Sequence, residues 1–155
     1  MKTVNSLPAP EECNCFAVRA AARHVSQSYD RFLAPTGLRT TQYSILARLK
    51  RKGPLTINAL AEDMVMDRTT LGRNILPLQR DGLITIKSTA SDRRAKELRL
   101  TKGGEKRLQE AFEGWSQAQA RFDAAFGEKR AAGLRTLLRA AAASEFAPGT
   151  QPASR

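Results

Sequence analysis

Histidine occurs once in this chain and cysteine twice, and no apolar run nears the roughly 20 residues needed to cross a membrane. With one histidine, no Ser/His or Cys/His catalytic unit is recognisable, and no glycine-rich phosphate loop is present. The sequence therefore offers no catalytic residues and reads as a non-enzyme. The cysteines, Cys13 and Cys15, sit two positions apart. In a helix over 12–34 they would point about 200° apart and could not bridge. A reducing compartment, and hence a cytoplasmic location, fits that pattern. Metal binding is excluded on related grounds. His24 lies nine residues beyond Cys15 on the opposite side of the same helix, and no second histidine or acidic cluster completes a ligand set. No cofactor is expected. Residues 1–12 lack a basic stretch followed by an apolar one, so no signal peptide is expected.

What the chain does hold is positive charge. Its 26 Lys and Arg against 15 Asp and Glu give a net charge of +11 over 155 residues, which points to a polyanionic partner. The charge is placed as well as abundant: residues 67–107 hold eleven Lys or Arg and five Asp or Glu. A hydrophobic share of 41% and this length suit one globular domain with a core.

The most informative stretch runs from Asp67 to Leu100. Asp67 is a good N-cap, and Leu71, Ile75 and Leu78 recur at helical spacing toward a core. Arg68, Thr69, Thr70, Arg73 and Asn74 occupy the other face. Guanidinium, hydroxyl and amide groups of this kind suit guanine, adenine and phosphate. Gly82 supplies a left-handed helix stop. Leu83, Ile84 and Ile86 then lead to a polar tip, Ser88 to Lys96, and Leu98 and Leu100 alternate on the return strand. A short helix followed by a basic-tipped hairpin reads as a winged helix-turn-helix for double-stranded DNA.

Around it, residues 1–11 read as a flexible arm and 146–155 as a disordered tail. A first helix is predicted from about Glu12 to Leu33, with Val18, Ala21, Ala22, Val25, Tyr29 and Phe32 as its apolar stripe. Thr40 and Thr41 can cap a second, carrying Tyr43, Ile45, Leu46 and Leu49 and stopped by Gly53-Pro54. Thr56 caps a third around Asn58–Val65. Pro77 inside the fourth removes the bond to the Arg73 carbonyl, which predicts a kink or, alternatively, an end near Leu76. Thr101 caps a long helix in which Leu108, Phe112, Trp115, Gln119, Phe122 and Phe126 form a packing seam, broken at Gly127. A last helix is predicted over about Glu128–Ser144. The fold class is thus mainly α with a small β-hairpin wing. One domain, 12–145, combines a DNA-binding lobe of about 37–101 with dimerisation helices at about 12–34 and 102–145. The surplus apolar surface of the terminal helices favours a two-fold homodimer.

Three segments, LAEDMVMDRTTLGRNILPLQRDGLI at 60–84, SDRRAKELRLTKGG at 91–104 and GLRTTQYSIL at 37–46, resemble the MarR (multiple antibiotic resistance regulator) family of bacterial transcription factors. The resemblance covers about residues 12–145. It implies a homodimeric repressor released from a palindromic operator by a small molecule or an oxidant. The recognition helix would bring Arg68, Thr69, Thr70, Arg73 and Asn74 to the major groove, and the wing Arg93 and Arg94 to the minor groove. Asp92 would orient Arg94 or cap the turn. Arg39, Thr40, Asn58 and Lys87 are candidate phosphate contacts, with Asp67 at the helix start. A sequence-tolerant structural DNA-binding protein is the alternative from another class.

Two sensing routes remain open. Arg19 and Arg23, one turn apart, can present guanidiniums to a carboxylate beside His24, Tyr43 and Trp115. That favours a small aromatic acid such as a phenolic or hydroxynicotinate-type carboxylate. The segment CNCFAVRAAARHV also resembles the organic-hydroperoxide-sensing branch of the family, with Cys15 before Phe16 as the oxidised thiol and Tyr29 nearby, although Arg19 departs from that pattern.

Overall fold

The computed structural model describes residues 9–146. The predicted arm lies outside the described residues up to position 8, and the predicted tail from position 147 on. The chain forms two compact units, one ending at Gln119 and one beginning at Ala120.

In the first unit, a 3-10 turn, Pro10–Glu12, precedes α1, Asn14–Leu33. The helix starts two residues later than Glu12 because Cys13 is extended (φ −78°, ψ 113°) and caps it, its Sγ accepting the Phe16 N–H at 3.5 Å. The 200° separation expected for Cys13 and Cys15 assumed both were helical, and Cys13 is not. A turn containing Pro35 leads to α2, Thr40–Lys52. Here too the cap differs from expectation. Arg39 is the N-cap, its N–H donating to Gln42 Oε1, while the Thr40 N–H donates to Asp30 Oδ1 of α1 at 2.7 Å. A carboxylate from the neighbouring helix thus does what the threonine side chains were expected to do.

The strand β1, Leu55–Thr56, was not expected. The Thr56 hydroxyl then accepts the Ala59 N–H at 3.1 Å and starts α3, Ile57–Asp63. The helix stops short of Val65 because Val65 adopts φ 50° and the Met66 N–H turns back to the Ala61 carbonyl. That is a left-handed helix end with valine where glycine is usual. The helix α4, Arg68–Arg80, runs on through Pro77. It closes as predicted at Gly82 (φ 70°), with the Leu83 N–H on the Leu78 carbonyl at 2.9 Å.

The wing is β2, Ile84–Ser88, against β3, Lys96–Leu100, with Ile84 opposite Leu100 and Ile86 opposite Leu98. The sheet has three strands rather than two, because β1 pairs with the far edge of β3, Leu55 opposite Leu98. Leu33, Ile45, Leu46, Leu60, Leu71, Leu78, Ile84 and Leu98 are fully buried and form the core behind α4. The Thr101 hydroxyl accepts the Gly104 N–H and starts α5, Lys102–Phe126. Gly104 has no room for a side chain: a Cβ there would fall 2.1 Å from the Leu83 carbonyl oxygen.

In the second unit, Phe122 and Phe126 of α5 stack at 5.4 Å, and the Arg130 guanidinium lies 4.4 Å over the Phe126 ring. Gly127 (φ 96°) separates α5 from α6, Glu128–Ala143, which ends one residue before the Ser144 expected.

Candidate nucleic-acid interface

The recognition helix is positioned from both sides. Its buried stripe of Leu71, Ile75 and Leu78 holds it on the core, and its first turn is closed by Asp67. Asp67 Oδ1 accepts the Thr70 N–H at 2.8 Å and Oδ2 the Thr70 hydroxyl at 2.6 Å. Those bonds, the hydroxyl's first, hold the Asp67 carboxyl below the usual carboxylate range. One turn on, the Asn74 amide donates to the Thr70 carbonyl at 2.9 Å. Asp67, Thr70 and Asn74 are therefore engaged with one another or with the helix backbone. Arg68, Thr69 and Arg73 stand exposed on its outer face.

Asn58 at the start of α3, Arg68 at the start of α4, and Arg94 and Lys96 of the wing line one small notch of about 180 Å³. Three separately predicted residues thus meet, joined by Lys96, the last residue of the predicted tip. Its cue was its place at the mouth of the wing rather than any motif. The tip itself is internally braced. Thr89 Oγ1 donates to the Asp92 carbonyl and accepts the Asp92 N–H, and Asp92 Oδ1 accepts the Arg94 backbone N–H at 2.8 Å. Asp92 thus caps the turn, leaving the Arg93 and Arg94 side chains exposed. Lys87 is exposed on β2 opposite Glu97, and Arg39 is exposed at the start of α2. These two and Thr40 lie outside the notch.

The five residues grouped for an effector separate into two sets. Tyr43 and Trp115 stack at 5.8 Å, and Phe112 stacks on Trp115 at 5.8 Å. Burial pushes the Tyr43 hydroxyl pKa up. Arg19, Arg23 and His24 are exposed on α1 and make no hydrogen bond or ion pair among the described residues. A groove of about 660 Å³ between α2 and α5 is instead lined by Tyr43, Ala47 and Phe112 together with Arg51, Lys102 and Lys106. Those cations were missed because they come from the last turn of one helix and the first of another, far apart in sequence. Lys50 crosses the same groove to Glu105 at 2.7 Å. Cys13 and Cys15 are free and exposed at the start of α1. Among the described residues, no cluster of His, Cys, Asp and Glu is placed to hold a metal, and no helix is long and apolar enough to cross a membrane.

A helix-turn-helix backed by a three-stranded wing, with cations from both converging on one notch, is a winged-helix DNA-binding module. The chain belongs to the MarR family, whose model matches residues 38–96, and it is a DNA-binding transcriptional regulator rather than an enzyme. It is similar to the M. tuberculosis transcriptional regulator MosR, at 36% identity and a TM-score of 0.74 over 88% of this chain and 100% of that one. A MosR structure in complex with DNA matches at 39% identity and a TM-score of 0.73, over 84% and 96%. The organic hydroperoxide resistance transcriptional regulator of Bacillus subtilis is 29% identical over 90 residues, 58% of this chain and 61% of that protein's length. Bordetella bronchiseptica BpsR shares the fold at a TM-score of 0.80 and 17% identity, over 90% of this chain and 100% of that one.

Proposed function

We propose that this protein is a homodimeric repressor that binds a two-fold operator and leaves it when a small anionic effector binds. The observation that carries the DNA reading is the notch where Asn58, Arg68 and Arg94 meet from three separate elements. Arg68, Thr69 and Arg73 enter the major groove, Arg93 and Arg94 the minor groove, and Asn58, Lys87, Arg39 and Thr40 meet phosphates. Asp67, Thr70 and Asn74 shape the helix that presents them.

Dimerisation is supported by exposed apolar side chains on the terminal helices. Phe16 and Val18 of α1 are 48% and 49% exposed, and Leu137 of α6 is 70% exposed. Burying such groups stabilises by about 1.5–3 kcal/mol for each complete side chain. Light scattering at micromolar concentration tests this; a particle of about 17 kDa rejects it. Binding to a palindrome selected from random sequence, compared with random duplex at one salt concentration, tests operator reading. Equal affinity would instead mark a sequence-tolerant structural DNA binder.

For the effector, the α2–α5 groove supports an aromatic carboxylate: aromatic and aliphatic walls with Arg51, Lys102 and Lys106 at the rim. BpsR, whose DNA binding is regulated by 6-hydroxynicotinic acid, shares this fold. Arg19, Arg23 and His24, exposed on α1 and outside this groove, are the other candidates for holding the acid. The thiol reading is favoured by a different observation. Cys13 and Cys15 are free and exposed at the start of α1, and the Bacillus subtilis relative is an organic hydroperoxide resistance regulator. Release assays separate the two. The acid model expects Cys15→Ser to release normally and Arg19→Ala to release poorly; the reverse pattern makes the thiol the sensor.

A further inference from the structure

Two features of α4 are not explained by packing among the described residues. Leu76 is 65% exposed on its outer surface, and Gly72 sits mid-helix although a Cβ there would meet nothing within 4 Å. A mid-helix glycine is a poor helix former, and no neighbour among the described residues requires it. Thr69, Gly72 and Leu76 fall three and four residues apart, on one face of the helix. They line a shallow cavity of about 370 Å³, completed by Ile57 of α3 and Ile86 of the wing. Arg68 and Ile57 also line the basic notch that holds Asn58 and Arg94, so the apolar slot and the notch form one continuous surface.

Resting on the operator reading above, we infer that Gly72 and Leu76 form a thymine-methyl reader. The bare helix backbone at Gly72 admits a base edge at close range, and Leu76 covers its C5-methyl group. The occupant is set by the surroundings. Arg68, Arg94 and Lys96 beside the slot attract a phosphate backbone, and the apolar feature a duplex offers in its major groove is the thymine methyl. Slot and notch would then divide the work: the notch holds the strand and the slot distinguishes thymine from cytosine.

The test uses a duplex selected from random sequence by the full-length protein, then made with thymine or with deoxyuridine throughout. The two forms differ only in C5-methyl groups. The wild-type protein is expected to bind the deoxyuridine form about fourfold more weakly for each methyl covered, the fold-change equivalent to ~0.8 kcal/mol per buried carbon. Leu76→Ala is expected to bind both forms equally while still preferring them to random duplex. Gly72→Ala is expected to raise Tm by about 1–4 °C, since it fills open space in a helix, and yet to weaken binding of the thymine duplex. Equal binding of both forms by the wild-type protein overturns the inference, as does a Leu76→Ala variant that keeps the full thymine preference. If no duplex is enriched over random sequence, operator reading itself fails and the inference falls with it.

Discussion

The Asp67 carboxylate holds Thr70 twice, through the backbone N–H on Oδ1 and the side-chain hydroxyl on Oδ2. Both contacts sit in the first turn of the helix that carries Arg68, Thr69 and Arg73. Asp67→Ala should therefore lower Tm and weaken binding to every duplex, because the turn that aims the cations frays. Asp67→Asn keeps an acceptor at the cap and should retain most of both properties. Thermal melts and duplex titrations check this; an Asp67→Ala protein that binds normally would show the cap to be dispensable.

Arg73 and Arg94 should differ in the kind of loss they produce. Arg73→Ala should reduce the preference for operator over random DNA by about 1–3 kcal/mol if it pairs with a base edge. Arg94→Ala should weaken all duplexes alike and make the salt slope shallower by about one unit. Titrations on both duplexes across a salt series measure the two effects, and an unchanged preference in Arg73→Ala removes it from the reading face.

Gly104 and Gly103 offer a matched pair. A Cβ at Gly104 would lie 2.1 Å from the Leu83 carbonyl and 2.6 Å from the Leu100 side chain, whereas at Gly103 the nearest atom is 3.5 Å away. Gly104→Ala should cost about 1–3 kcal/mol as the start of α5 is forced off the wing, with Gly103→Ala near neutral. Denaturant unfolding of both variants checks the contrast.

Asp63 joins α2 to α3, accepting from Lys52 and from Arg48 Nε, the latter at 2.8 Å. The Lys52 ammonium, with Arg48 adding to it, holds the Asp63 carboxyl below its ordinary range. A depressed folded-state pKa means the stabilisation is complete above the unfolded value of about 3.9 and is lost as pH falls through the folded one. Wild-type protein should exceed Asp63→Asn in stability at neutral pH, with the gap closing below about pH 4 and narrowing in high salt. Unfolding curves across a pH series test this; a gap independent of pH assigns it to packing.

Much of the DNA-binding lobe was legible because its boundaries are written in local chemistry. Thr56, Asp67 and Thr101 each accept a backbone N–H three residues on, and Gly82 takes the left-handed stop its residue type announces. Where the same work is done by an unexpected residue, the signal vanishes. Val65 ends α3 without glycine, Cys13 caps α1 without oxygen, and Asp30 reaches Thr40 across ten positions. The two residues of β1 are too few to show alternation. The effector group was harder for a related reason. Arg19 and Arg23 share a helix face by spacing alone, but the groove beside Tyr43 is built from ends of α2 and α5 that meet only in the tertiary structure.

With β1 bonded along one side of β3 and β2 along the other, the inner strand of the wing has no free edge at its root. Thr89 and Asp92 lock the far end in turn. The hairpin is thus a stiff bracket clamped at its base, and main-chain disorder has little to lose when it meets a duplex. The ordering cost of docking falls on the long side chains of Arg93 and Arg94, at most about 2 kcal/mol each, and not on the strands that carry them.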